Sequence, residues 1–332
     1  MQAHKSDLRY LLVFLCLLTS ACASRTPISE VTLDGSQAVR VPFLTNRDLE
    51  NNRDGEQYFG NGRGTLGAGS CSVYLEAPEK LRGKARVLAV NQEADAALPV
   101  AADDRLVLYV HGYNIGFEKG CRRSARLTEN AGLHGQLLLF SWPADGNYLN
   151  YVGDVADMGW SIADLEQVLL RLAAADLQVD LIGHSLGARG LVEALGNLSR
   201  SNATEVTFGH LVLSAPDVDR DVFEQNLEFL LPMVSDVTIY ISSKDRALAM
   251  SGQLHGYRRL GQVGLTEPVA GVDVVDVASE VRVREVSGHL YHLYNPAVVE
   301  DLRHVLGTAT GERQFERKAA GSIWRLTDAV DQ

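Results

Sequence analysis

Apolar and polar positions along the chain predict strands and helices in turn. Arg105–Val110 (RLVLYV) is a short continuous apolar run, as expected of a strand buried on both faces, and residues 136–140 repeat the signal. Between them, residues 118–131 read as a helix. Across residues 158–177, Ile162, Leu165, Val168, Leu169 and Leu172 fall at helical spacing on one face. Residues 179–182 read as the next strand and 186–198 as the next helix. Strands at 211–213 and 237–241 flank a helix at 222–231, and a strand at 272–277 precedes a helix at 296–306. Two earlier strands are expected at 71–75 and 86–90. Strands alternating with helices imply right-handed βαβ crossovers, so the predicted fold class is α/β, a mostly parallel central sheet with helices on both faces.

The ends do not follow this rhythm. Lys5 and Arg9 precede an apolar run over residues 10–18, then Thr19-Ser20-Ala21 before Cys22. A basic start, an apolar stretch and small residues make residues 1–21 a secretory leader. The run is about half of the ~20 residues that a membrane span needs. Leu18-Thr19-Ser20-Ala21-Cys22 is similar to a bacterial lipoprotein cleavage box, which would make Cys22 the lipidated first residue; the other reading is an ordinary signal peptide cut nearby. The expected location is therefore the cell envelope, with the membrane as partner through an anchor at Cys22. Residues 22–69 are polar and read as a tether and loosely structured lead-in. Residues 70–310 read as the α/β domain and 311–332 as a charged tail without period.

Composition narrows the choices. The 332 residues are 46% hydrophobic, enough for a large core, and carry a formal charge of -11 with no basic run. That balance argues against nucleic acid as a partner. Of four cysteines, Cys16 leaves with the leader and Cys22 is the lipidation candidate, which leaves Cys71 and Cys121 as a candidate disulfide in an oxidising compartment. Without a Cys-x-x-Cys pair or a His/Cys cluster, no metal site is expected. Asn197-Leu198-Ser199 and Asn202-Ala203-Thr204 match glycosylation acceptors and read as chance.

The chemistry centres on Gly183-His184-Ser185-Leu186-Gly187, entered by an apolar strand and left by a helix-forming run. A serine on a sharp strand-to-helix turn needs small neighbours so that strand and helix can approach. The turn sets Ser185 at the carboxyl end of the sheet and near a helix N-terminus, which favours developing negative charge. The backbone N–H of Leu186 is then one oxyanion donor. His111-Gly112-Tyr113-Asn114, directly after the strongest apolar strand, supplies the second through the Tyr113 amide. His111 itself is read as a brace of that loop. In this arrangement acid and base follow the nucleophile in that order. Asp245, after the strand at 237–241, is the preferred acid, and Asp217, after the preceding strand, is the alternative. Whichever of the two is not the acid is expected to cap a loop or lie at the surface. His289, after Gly288 and ahead of the last helix, is the preferred base, with His292 as the alternative. His210, His255 and His304 are read as structural, substrate-facing or solvated.

With these segments in view, the sequence resembles bacterial α/β hydrolases of the esterase/lipase superfamily, in an uncharacterised branch. The resemblance rests on LYVHGYN (residues 108–114), FSWPADG (140–146), LIGHSLGAR (181–189), LSAPDVD (213–219), YISSKDRAL (240–248) and SGHLYHLYNP (287–296). It implies the α/β-hydrolase fold and triad roles for Ser185, Asp245 and His289. It implies no particular substrate; the reading of the site itself expects a small-molecule or lipid ester, needs no cofactor, and leaves protein partners open. The leading expectation is a carboxylic ester hydrolase. An acyltransferase or thioesterase with the same triad competes with it, as does a non-catalytic envelope lipoprotein on the same scaffold.

Overall fold

A computed structural model describes residues 38–51, 57–93, 104–175, 177–201, 206–278, 288–313, 315–317 and 323–326. It begins with β1 (Ala38–Asn51), β2 (Gln57–Leu75) and β3 (Ala85–Glu93), which pair antiparallel in sequence order. The alternation follows: β4 (Arg105–Val110), α1 (Phe117–Ala131), β5 (Leu137–Ser141), α2 (Tyr151–Ala173), β6 (Gln178–His184), α3 (Leu186–Arg200), β7 (Phe208–Ser214), α4 (Arg220–Leu230) and β8 (Val234–Ile241). Next come α5 (Arg246–His255), the short α6 (Leu260–Val263), β9 (Val272–Asp276), the short α7 (Tyr291–Tyr294), α8 (Pro296–Val305), β10 (Phe315–Arg317) and β11 (Ile323–Leu326).

Among the described residues all eleven strands join one sheet, in the order β10-β11-β9-β8-β7-β6-β4-β5-β1-β2-β3. Its centre, from β9 to β1, is parallel throughout. Side chains of β4 alternate between two cores. Leu106, Leu108 and Val110 face α2, α3 and α4, while Val107 and Tyr109 face α1 and α8. The continuous apolar run of β4 thus reflects burial on both sides, because neither face of a central parallel strand meets water.

Residues 38–51 and 57–69, expected as a tether and lead-in, instead supply β1 and most of β2. Their polar composition hid a buried strand. Thr45, Asn46 and Arg47 of β1 are each nearly or wholly inaccessible, and each side chain donates a hydrogen bond inside the fold. Thr45 Oγ1 donates to Ser141 O at 2.6 Å, and Asn46 Nδ2 donates to Asp164 at 2.9 Å. Buried polar groups with partners do not advertise burial in a hydropathy pattern. Part of the tail likewise enters the sheet as β10 and β11, and Arg313 pairs with Asp301 and Asp273. The leader at residues 1–21 and Cys22 lie outside the described residues. Among those described, no helix is long and apolar enough to cross a membrane. Cys71 of β2 and Cys121 of α1 form a disulfide, their Cα atoms 6.2 Å apart.

Candidate active site

β6 passes into α3 through Ser185, whose φ of 55° and ψ of −120° lie outside the ordinary regions for a side-chain-bearing residue. Such a conformation costs roughly 1–3 kcal/mol and persists only where its surroundings hold it. Ser185 N–H donates to Ser214 O at 3.0 Å, and its own carbonyl accepts from Asp217 N–H at 3.2 Å and Ala188 N–H at 3.1 Å. A Cβ on Gly187 would overlap the carbonyls of Val110 and His111, so α3 can sit this close to the end of β4 only with glycine there. Leu186 is the first residue of α3, where a backbone N–H has no acceptor within the helix.

The loop after β4 lies against this turn: a Cβ on Gly112 would fall 2.8 Å from the Ser185 Cβ and 2.7 Å from His184 Nδ1. His111 stacks on Trp142 with ring centroids 5.2 Å apart, and its Nδ1 lies 2.9 Å from Gly112 O. Burial, reinforced by the Arg47 cation, pushes the His111 imidazole well below its usual pKa and keeps it neutral. It is a brace within the loop, away from the cleft. Tyr113 lines the cleft, and its hydroxyl donates to the Tyr148 carbonyl.

Asp245, at the N-terminus of α5, is 1% exposed and holds two partners. One carboxylate oxygen caps the helix by accepting Leu248 N–H at 3.1 Å, and the other lies 2.6 Å from His289 Nδ1. With Nδ1 facing the carboxylate, the opposite edge of the imidazole carries Nε2. His289 and Ser185 line one cleft, with Tyr113, Tyr151 and Asp217, walled on one side by Ala247, Leu248, Met250, Ser251 and Leu254 of α5.

The alternative residues sit elsewhere or differently. His292 is buried against Tyr109, its Nε2 3.4 Å from the Tyr109 hydroxyl, and its ring lies tilted against that of His184 with centroids 4.4 Å apart. Burial pushes its pKa well down, with Arg123 adding to the effect. Asp217 does line the cleft, but its carboxylate is engaged: Tyr151 OH donates at 2.7 Å, Ser251 OH at 2.6 Å, and the buried Arg259 lies 3.6 Å away. Asp217 is therefore neither at the surface nor a cap of its loop, because these partners draw it inward. His255 sits over Tyr151 at 5.6 Å, and His210 and His304 pair with Asp236 and Glu300.

Sequence reasoning missed Tyr151, Asp154, His184, Ser251, Arg259 and Arg47. Tyr151 and Asp154 lie in the first turn of α2, seven residues before its predicted start, in a stretch where exposed Leu149 and Val152 break the apolar period. His184 sits inside the glycine-flanked motif, and its Nε2 meets the backbone carbonyl of His289 at 3.1 Å. Among the described residues, no group of three or more His, Cys, Asp or Glu is placed to hold a metal ion.

A family model described as "Alpha/beta hydrolase of unknown function (DUF900)" matches residues 88–308. No curated protein matches the chain. Among solved structures, a predicted CIB-like hydrolase from Thermoplasma acidophilum is similar at 12% identity and a TM-score of 0.40, over 82% of this chain and 98% of its own. An esterase of Pyrococcus furiosus is similar at 12% identity and a TM-score of 0.40, over 80% of this chain and 92% of its own. A carboxylesterase, EstE1, from a metagenomic library is similar at 14% identity and a TM-score of 0.36, over 73% and 83%. Likenesses this weak transfer neither substrate nor residue roles.

Proposed function

Because the chain belongs to the alpha/beta hydrolase family of unknown function DUF900 and has the α/β-hydrolase fold, we propose that it is a serine hydrolase cleaving carboxylic esters. The observation that carries this reading is one cleft lined by Ser185 on its strained turn and by His289, whose Nδ1 meets the buried Asp245. Asp245 accepts the Nδ1–H, which leaves Nε2 as the basic atom. Nε2 takes the proton from Ser185 Oγ as the oxygen attacks the ester carbonyl. The resulting oxyanion is met by the N–H groups of Leu186 and Tyr113, aided by the α3 dipole. Collapse expels the alcohol, which receives the proton back from His289 Nε2 and leaves an acyl group on Ser185. Water then attacks, giving up a proton to the same nitrogen, and the acid leaves as Ser185 recovers its hydrogen. This cycle uses the chain's own groups throughout.

The apolar wall of α5 suits an aliphatic acyl or alcohol group. Met250 and Leu254 of that wall are themselves half exposed or more, so the wall reaches the solvent-facing surface. Hydrolysis of p-nitrophenyl acetate, butyrate and octanoate, with a thioester and an added acyl acceptor alongside, is the test. Release of p-nitrophenol by the wild type and its loss in Ser185→Ala are expected. Preference for the thioester, or transfer to the acceptor, would replace ester hydrolysis with the competing chemistry. We also propose export and lipid anchoring at Cys22. Incorporation of labelled fatty acid that Cys22→Ala abolishes would support the anchor, and a cut that leaves no lipid would overturn it.

A further inference from the structure

From the geometry of two buried charged residues we infer that Arg47 and Asp154 form a clamp that positions the loop carrying the Tyr113 amide. Both are positioning residues, and the inference rests on the ester-hydrolase reading for its catalytic consequence. Asp154, in the first turn of α2, has no exposed surface. Its Oδ2 accepts Asn114 N–H at 2.8 Å, and its Oδ1 accepts Asp145 N–H at 3.0 Å. Arg47 of β1, 1% exposed, acts on the same two loops with the opposite polarity. Its Nη2 donates to Ile115 O at 2.7 Å and its Nη1 to Ala144 O at 3.0 Å. Its Nε donates to Ser141 Oγ at 3.0 Å, at the start of the second loop. The anion thus holds N–H groups of residues 114 and 145, and the cation holds carbonyls of residues 115 and 144.

The position of the clamp gives it a role beyond ordinary core bonding. Asn114 directly follows the proposed oxyanion donor and adopts φ of 59°, a left-handed conformation that its bonded amide helps to fix. The Asp145 loop leads to Tyr148, whose carbonyl receives the Tyr113 hydroxyl, so both ends of the Tyr113 residue are tied to clamped backbone. An oxyanion donor acts through placement, and a shift of about 1 Å in such a group is enough to cost on the order of a hundredfold in rate. Both charges sit in a low-dielectric setting, where their hydrogen bonds hold backbone more firmly than they would in water. Burial accordingly pushes the Asp154 carboxyl up to about 6 and the Arg47 guanidinium down to about 9. Arg47 also lies outside the residues that the family model matches, so the clamp joins the amino-terminal strand to the catalytic region.

The test compares wild type, Asp154→Asn, Arg47→Lys and Ser185→Ala in the full chain. An asparagine presents an N–H₂ to one of the two amides, so one of the paired bonds is lost while size is kept. For p-nitrophenyl butyrate, kcat of Asp154→Asn should fall about 10- to 100-fold while KM stays within about twofold, because the ground state does not use the oxyanion donors. Hydrogen exchange followed by mass spectrometry should show faster exchange in peptides covering residues 111–118 and 142–150, with α3 unchanged. Arg47→Lys, which keeps the cation but loses the fork, should loosen the same peptides and serves if Asp154→Asn does not fold. A folded Asp154→Asn with wild-type kcat, or with unaltered exchange in both loops, overturns the clamp. Wild-type turnover that persists in Ser185→Ala would overturn the hydrolase reading instead, and the exchange data would still decide the clamp.

Discussion

His289 meets a carboxylate that is wholly enclosed, and this contact is the ground on which we propose Asp245 as the acid of the reaction. Asp245 is 1% exposed, caps α5 and contacts Nδ1 at 2.6 Å, whereas Asp217 spends its oxygens on Tyr151 and Ser251. Asp245→Asn should therefore reduce kcat by about 10⁴, since the amide stabilises the wrong imidazole tautomer. Asp217→Asn should act on KM and stability more than on kcat, because it disturbs the lining of the cleft. Steady-state kinetics of the two variants check this, and the reverse ranking would transfer the role to Asp217. A second residue-scale prediction concerns Asp154, whose carboxyl is raised to about 6, chiefly by desolvation. Between roughly pH 4 and 6 the folded chain holds a proton there that the unfolded chain has released. Its contribution to stability is thus fullest at the acid end and is lost as the pH rises through 6. Denaturant melts across that range, in wild type and Asp154→Asn, should show this component only in the wild type.

At the scale of elements, the disulfide between β2 and α1 ties the amino-terminal strands to the first helix of the alternating region. It closes a loop with a sequence separation of 50, for which the chain-entropy account gives about 4 kcal/mol. Denaturant unfolding with and without reductant should reveal a loss of that order, and an unchanged midpoint would show that the thiols do not pair. The central elements were legible because their chemistry is regular. β4 is apolar on both faces, and the glycines around Ser185 are required by close backbone approach. β1 was not legible, since Thr45, Asn46 and Arg47 are buried yet polar and donate to partners distant in sequence. The same limit hid the start of α2. Tyr151 and Asp154 face inward there beside exposed Leu149 and Val152, so the hydrophobic period fails where the helix begins. That His289 and Asp245 meet agrees with the chain order expected of them, whereas the polar network around Asp217 depends on three-dimensional contacts that no spacing reveals.

For the whole molecule, the carboxyl ends of the parallel strands collect what the sequence scatters over more than a hundred residues, from Ser185 to His289 and back to the loop after β4. Helices pack on both faces behind this edge, and the residues from Gln37 onward form one compact unit to which β1, β2 and β3 belong. The amino-terminal strands thus pack in the same unit as the proposed catalytic residues. The central claim is that Ser185 is a nucleophile activated by His289, and a fluorophosphonate probe addresses it without knowledge of the substrate. Intact protein incubated with the probe and mapped by mass spectrometry should carry one adduct, on Ser185. The adduct should be absent in Ser185→Ala and form far more slowly in His289→Ala. A folded wild-type protein that takes up no probe, or that labels equally well without His289, would contradict the account.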